Sequence, residues 1–148
     1  MTTTIRLLLA FVLIDELLIG AWNQFWPESF YANFPTVDQT PPFSEHFARD
    51  FGGATLGMAF VLLIAVVRTR AHFVVPAAGA FLVFAIPHFV FHALHLEHAT
   101  GFEAAMLLFL NALVAVCAAL AILLTVVRDR RLPRAAPVVE ESVAHHRI

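Results

Sequence analysis

The segment Pro87-His88-Phe89-Val90-Phe91-His92-Ala93-Leu94-His95-Leu96-Glu97-His98 holds four of the eight histidines in the chain. On a helix turning about 100° per residue, His92 falls about 40° from His88, and His95 about 20° to the other side. Three imidazoles then form one narrow stripe, and His98 drifts off it into the following turn. Neutral imidazoles with carboxylates nearby suit zinc, iron or copper, the acids fixing ring tautomers. The same groups also suit holding and relaying protons, or general acid–base work on a lipophilic substrate. No HExxH or other fixed metal motif occurs. Pro87 removes a backbone hydrogen bond just before the stripe, so a kink is expected there.

Acids accompany the histidines. Asp15 and Glu16 interrupt the apolar run at 5–24, and Glu45-His46-Phe47-Ala48-Arg49-Asp50 opens another apolar run. His46 and Asp50 share a helix face at i, i+4, as do Glu45 and Arg49. If the helices leave the hydrocarbon near Trp22 and Leu94, Asp15 and His88 lie about 10 Å and about 9 Å below one surface, by helical rise. A charge in lipid costs several kcal/mol, so such groups turn inward and pair. The expected acid–base set is Asp15, Glu16, His46, Arg49 and Asp50; the expected metal ligands are His46, His88, His92 and His95. Ordinary readings compete with each. The i, i+4 pairs suit a membrane interface, and His92, His95 and His98 suit headgroups. Asp15 and Glu16 lie about 100° apart, so only one of them can point fully inward. Glu103 is set aside, because Thr100-Gly101-Phe102-Glu103 is a capping box.

The elements that hold these residues are set by apolar length. Of 148 residues, 60% are hydrophobic and 14% charged, with mean hydropathy +0.80. A soluble chain of this size needs more polar surface than that. Residues 51–67, 71–96 and 104–127 contain no Asp, Glu, Lys or Arg. Each is long enough, or nearly so, to cross about 30 Å of hydrocarbon. The 5–24 run reads as a further span and not as a signal peptide, because acids interrupt it and no A-x-A site follows. An all-α, integral membrane four-helix bundle is therefore expected over 1–128, with helices at about 5–24, 45–68, 72–96 and 101–128.

All nine basic residues are arginine. Arg6, Arg68, Arg70, Arg128, Arg130, Arg131, Arg134 and Arg147 fall on one side of the spans and only Arg49 on the other. The positive-inside rule then places both termini in the cytoplasm of a multi-pass cell-membrane protein. The aromatic segment 25–43 is expected as an outer loop, and 129–148 as a disordered cytoplasmic tail. Ser44 is placed to cap the second long helix. Gly53 and Gly57 form a GxxxG pair, read as packing within the bundle.

At Phe34-Pro35, Ser44-Glu45-His46-Phe47-Ala48-Arg49-Asp50-Phe51-Gly52 and Pro87-His88-Phe89-Val90-Phe91-His92, the chain resembles small, uncharacterised four-helix membrane proteins of bacteria, common in actinobacteria. Its layout is also similar to the broad DoxX-like group. The resemblance covers about 5–127. It implies a four-helix bundle and directs interest to His46, Arg49, Asp50, His88 and His92, without supplying a reaction.

Three functions fit these residues. The leading one is an outward-facing His/carboxylate site that binds a metal or performs acid–base or redox chemistry on a lipophilic compound. The alternatives are a small proton-coupled transporter, for which an acid inside the first span is suited, and a non-catalytic accessory subunit of a membrane complex. Whether the chain is an enzyme stays open between them. The bilayer is the expected partner, and a homo-oligomer or larger complex is compatible with the alanine-rich last helix. A net charge of −2 gives no reason to expect nucleic acid. No glycine-rich phosphate motif or other cofactor-binding residue is present. Cys117 stands alone, so no internal disulfide can form.

Overall fold

Apolar length accounts for the long helices, and local side-chain caps start two of them. The computed structural model describes residues 1–39 and 42–131. It contains α1 (Thr2–Phe25), α2 (Pro27–Asn33), a 3-10 turn (Val37–Gln39), α3 (Glu45–Val67), α4 (Ala71–Leu94) and α5 (Gly101–Arg131), with no strand among the described residues. The Ser44 hydroxyl accepts the Phe47 N–H at 3.4 Å and starts α3. At α5 the capping box forms as expected. Thr100 N–H donates to Glu103 Oε2 at 2.8 Å, and Glu103 N–H donates to Thr100 Oγ1 at 3.3 Å.

Several boundaries differ from expectation, among them the start of α1 at Thr2 and the end of α4 at Leu94, against 5 and 96. The 25–43 segment is not wholly loop, because Pro27 at the first helical position and Glu28 in the first turn start α2. Helix α5 continues to Arg131, beyond the expected end at 128. The tail expected from 129 therefore begins as helix, and 132–148 lie outside the described residues.

The four long helices pack in the cyclic order α1, α3, α4, α5, with α1 chiefly on α3 and α4 chiefly on α5. Ile5, Leu9 and Val12 of α1 share one core with Leu62 of α3, Phe81 of α4 and Ala118 of α5. The outward faces are also apolar: Leu7, Phe60, Val83 and Phe109 are exposed, Val83 to 78%. Such a surface is stable in hydrocarbon and not in water. Helices α3, α4 and α5 are each long and apolar enough to cross a membrane.

Backbone contact joins α1 to α3. A Cβ added at Gly52 would stand 2.5 Å from Gln24 N and 2.9 Å from Gly20 O. The Gly53/Gly57 pair is not this seam. Gly57 has nothing within 4 Å of a Cβ, and Gly53 meets only the Gln24 side chain.

The opposite end, where the chain begins and α5 ends, is held by one arginine. Arg128 donates to Thr69 O, to Asp129 Oδ1 at 2.8 Å and to Thr2 Oγ1 at 3.4 Å. Asp129 Oδ2 in turn accepts the Ala71 N–H at 3.1 Å, supplying one of the unpaired donors at the start of α4. The α3–α4 turn is thereby tied to α5.

Gly52→Ala should lower the thermal unfolding midpoint in detergent, by the equivalent of about 1–3 kcal/mol of overpacking. Gly57→Ala should leave it unchanged or raise it by up to about 1 kcal/mol through helix propensity. Circular dichroism melts of the two variants check this, and equal effects would remove the α1–α3 seam.

Candidate functional site

The buried face of α1 runs Ile5, Leu9, Val12, Leu13, Glu16, Gly20 and Asn23, at the three- and four-residue spacing of a helix stripe. Glu16 falls on that stripe and is 2% exposed, whereas Asp15 beside it is half-buried. The choice between the two acids is thus made by packing. Glu16 Oε2 has no hydrogen-bond partner among the described residues. A buried oxygen left this way costs about 1–3 kcal/mol, and far more if it carries charge.

The surroundings of Glu16 differ along the seam. Toward the chain termini the buried side chains of α1 and α3 are apolar: Val12, Leu9 and Ile5, with Leu62 and Ala65. In the other direction lie buried Asn23 and Thr55. Asn23 Nδ2 donates to Ile19 O at 3.1 Å, and the Thr55 methyl is 3.1 Å from where a Gly20 Cβ would stand. Sequence reasoning missed both residues. Asn23 could have been found as a lone amide seven residues after Glu16 on the same stripe; Thr55 carries no such signal. Above this end, α2 folds back on α1. Trp22 meets Phe30 edge-on at 5.6 Å, and its Nε1 donates to Ser29 Oγ at 3.2 Å. Phe30 stacks on Phe34 at 4.7 Å.

The residues at the start of α3 divide between fastening and surface. Arg49 donates through Nε and Nη2 to Glu45 Oε1, at 2.9 and 2.8 Å, and through Nη1 to Gln24 O. A cation on the last carbonyls of α1 is favourably placed in the helix dipole, and it pins α3 to α1. His46 and Asp50 approach to 3.3 Å with side chains 89% and 65% exposed. Neither faces the buried stripe.

On α4, His88 and His92 are half-buried, with ring centroids 4.5 Å apart and planes at 82°. Phe84 stacks on His88 at 5.0 Å, and Phe51 of α3 lies 5.8 Å from Phe84. The expected third member leaves the stripe because α4 stops at Leu94. His95 is its exposed C-cap, stacked on Phe91 at 4.2 Å with Nδ1 2.8 Å from Phe91 O. His98 is exposed in the turn that follows. Pro76 and Pro87 both lie inside α4, which continues through them.

Among the described residues, no three His, Cys, Asp or Glu side chains gather as metal ligands must. His46, His88, His92 and His95 therefore do not fit zinc, iron or copper as one set in this arrangement. What the fold does build is a buried carboxyl on α1 and an aromatic-backed imidazole pair on α4. Both are groups that hold protons. Comparison with protein-family models, with curated proteins and with solved structures returns no match.

Glu16→Leu should raise the thermal midpoint in detergent by the equivalent of about 1–3 kcal/mol, because it removes the unpartnered oxygen. Asp15→Leu should change it little. A clear loss of stability in Glu16→Leu would mean that the carboxyl has partners that hold it.

Proposed function

We propose that the chain is a four-span membrane protein in which Glu16 and the His88–His92 pair perform acid–base chemistry on a lipophilic compound. The observation that carries this reading is the 2% exposed Glu16 carboxyl with an oxygen that has no partner among the described residues. An ionised, unpaired carboxylate in hydrocarbon is too costly to persist, so a carboxyl kept there without structural benefit is suited to exchanging a proton. The apolar flank toward the termini and the polar Asn23 and Thr55 on the other side favour exchange at the end capped by α2. Imidazoles backed by Phe84 and Phe51 suit a compound arriving through the bilayer.

In this reading α1 is the fourth span. It packs on both α3 and α5, and its outward residues Leu7, Phe11, Ile14, Leu17 and Leu18 are exposed and apolar. The end tied by Arg128 also carries Arg6, Arg68, Arg70, Arg130 and Arg131, which supports a cytoplasmic position for both termini. Glu16 and the histidines then work in the outer half of the membrane.

A second reading, proton-coupled transport, is favoured by the position of Glu16 within α1, the helix that packs on both α3 and α5. Solute movement in proteoliposomes that follows a pH gradient and is lost in Glu16→Gln would select it over acid–base chemistry.

Dicyclohexylcarbodiimide, which reacts with protonated carboxyls in apolar surroundings, should modify Glu16 in the purified protein and spare Glu16→Gln. A neutral-lipid extract of the source membranes should slow the reaction several-fold by occupying the site. Peptide mass mapping checks both; an unreactive Glu16, or a rate indifferent to the extract, overturns the reading.

Topology has its own check in a Cys117→Ser background. In intact cells, an impermeant maleimide should label Glu97→Cys directly and His72→Cys only after permeabilisation. The reverse pattern would invert the orientation.

A further inference from the structure

A groove of about 440 Å³ opens between the end of α3 and the start of α4, lined by Leu63, Ile64, Val67, Arg68 and Phe73. It lies at the opposite end of α4 from His88 and His92, and Glu16 does not line it. The clasp described above stands beside the groove. Arg128 holds Thr69 O and Asp129 holds the Ala71 N–H, so the turn and the start of α4 are drawn toward α5. Helix α3 packs chiefly on α1 and less on α4.

The lining is ordered by depth. Leu63, Ile64 and Val67 belong to the last turns of an apolar helix long enough to cross a membrane, and Arg68 follows at its C-cap. Arg49 and Arg128 are engaged by carboxylates and carbonyls. The Arg68 side chain, by contrast, is exposed and makes no hydrogen bond or ion pair among the described residues. Its backbone N–H closes α3 on Ile64 O at 2.8 Å and its carbonyl accepts the Arg70 N–H at 2.8 Å, which leaves the guanidinium as its unengaged group. An apolar trough that ends in a free guanidinium at the membrane boundary matches an acyl chain followed by a phosphate.

We propose that this groove binds one anionic phospholipid, with an acyl chain along Leu63, Val67 and Phe73 and the phosphate on the Arg68 guanidinium. Charge complementarity and the tail-then-phosphate order select a lipid over a peptide or a free anion. The clasp on the α3–α4 turn takes Thr69 O and the Ala71 N–H and leaves the Arg68 guanidinium to the headgroup. The site stands on the membrane reading of α3 and α4 and is independent of any chemistry at Glu16.

Native mass spectrometry of the full chain, released from detergent with equal amounts of phosphatidylglycerol and phosphatidylcholine of the same acyl chains, tests it. Wild-type protein should retain phosphatidylglycerol over phosphatidylcholine by about fivefold, the factor expected from one arginine at a membrane surface. Arg68→Gln should abolish the preference while both lipids still bind, and Arg70→Gln, outside the groove, should keep it. Val67→Trp, which fills the groove, should lower retention of both lipids. Circular dichroism confirms helix content in each variant. Equal retention of the two lipids by wild type, or a preference that survives Arg68→Gln, overturns the proposal. Displacement of the retained lipid by excess inorganic phosphate would also overturn it, since a free anion would then be the ligand.

Discussion

Helix α1 stands where it does because its backbone touches that of α3. Around Gly52 no side chain fits, and the Gly20 carbonyl and Gln24 amide occupy the space a Cβ would need. Helices in hydrocarbon gain little from hiding apolar surface from one another, so close van der Waals packing and a few polar contacts must hold them. Arg49 supplies the polar contact here, joining Glu45 to the last carbonyls of α1. From this seam follows the orientation of the α1 stripe, and from the stripe the burial of Glu16.

The three arginines described in detail show how one residue type serves three physical purposes. At the start of α3, Arg49 closes a helix end across an interface. Arg128 gathers Thr2, the α3–α4 turn and α5 into one knot. Arg68 stands one residue from that knot, and its guanidinium has no hydrogen-bond or ion-pair partner among the described residues, while Arg128 and Asp129 take Thr69 O and the Ala71 N–H. A planar fork of donors suits the first two tasks, since each binds several oxygens at once.

Glu16 and the histidine pair show two ways of placing a proton-holding group in an apolar setting. The carboxyl is enclosed by packed helices and has no partner for one oxygen among the described residues. The imidazoles sit on the flank of α4, with Phe84 stacked on His88. Packing enforces the first arrangement; helical spacing alone is enough for the second.

Helix existence and most helix ends were legible in the amino-acid order. Charge-free length, Ser44 as a cap and the Thr100–Glu103 capping box act over a few residues, so no tertiary information is needed to read them. The His88–His92 neighbourhood was legible for the same reason, being an i, i+4 relation. Other features needed the fold. Which of Asp15 and Glu16 is buried depends on the direction α1 faces, and that is set by Gly20 and Gly52, positions far apart in the chain. The GxxxG pair carried the right composition on the wrong face, since a pattern of small residues does not say which side meets a neighbour. His95 fits the stripe only while the helix continues, and α4 stops one residue earlier. The groove beside Arg68 has no signature in the sequence at all, because it lies between the ends of two helices, next to a start of α4 that is tied to α5 across 58 residues of chain.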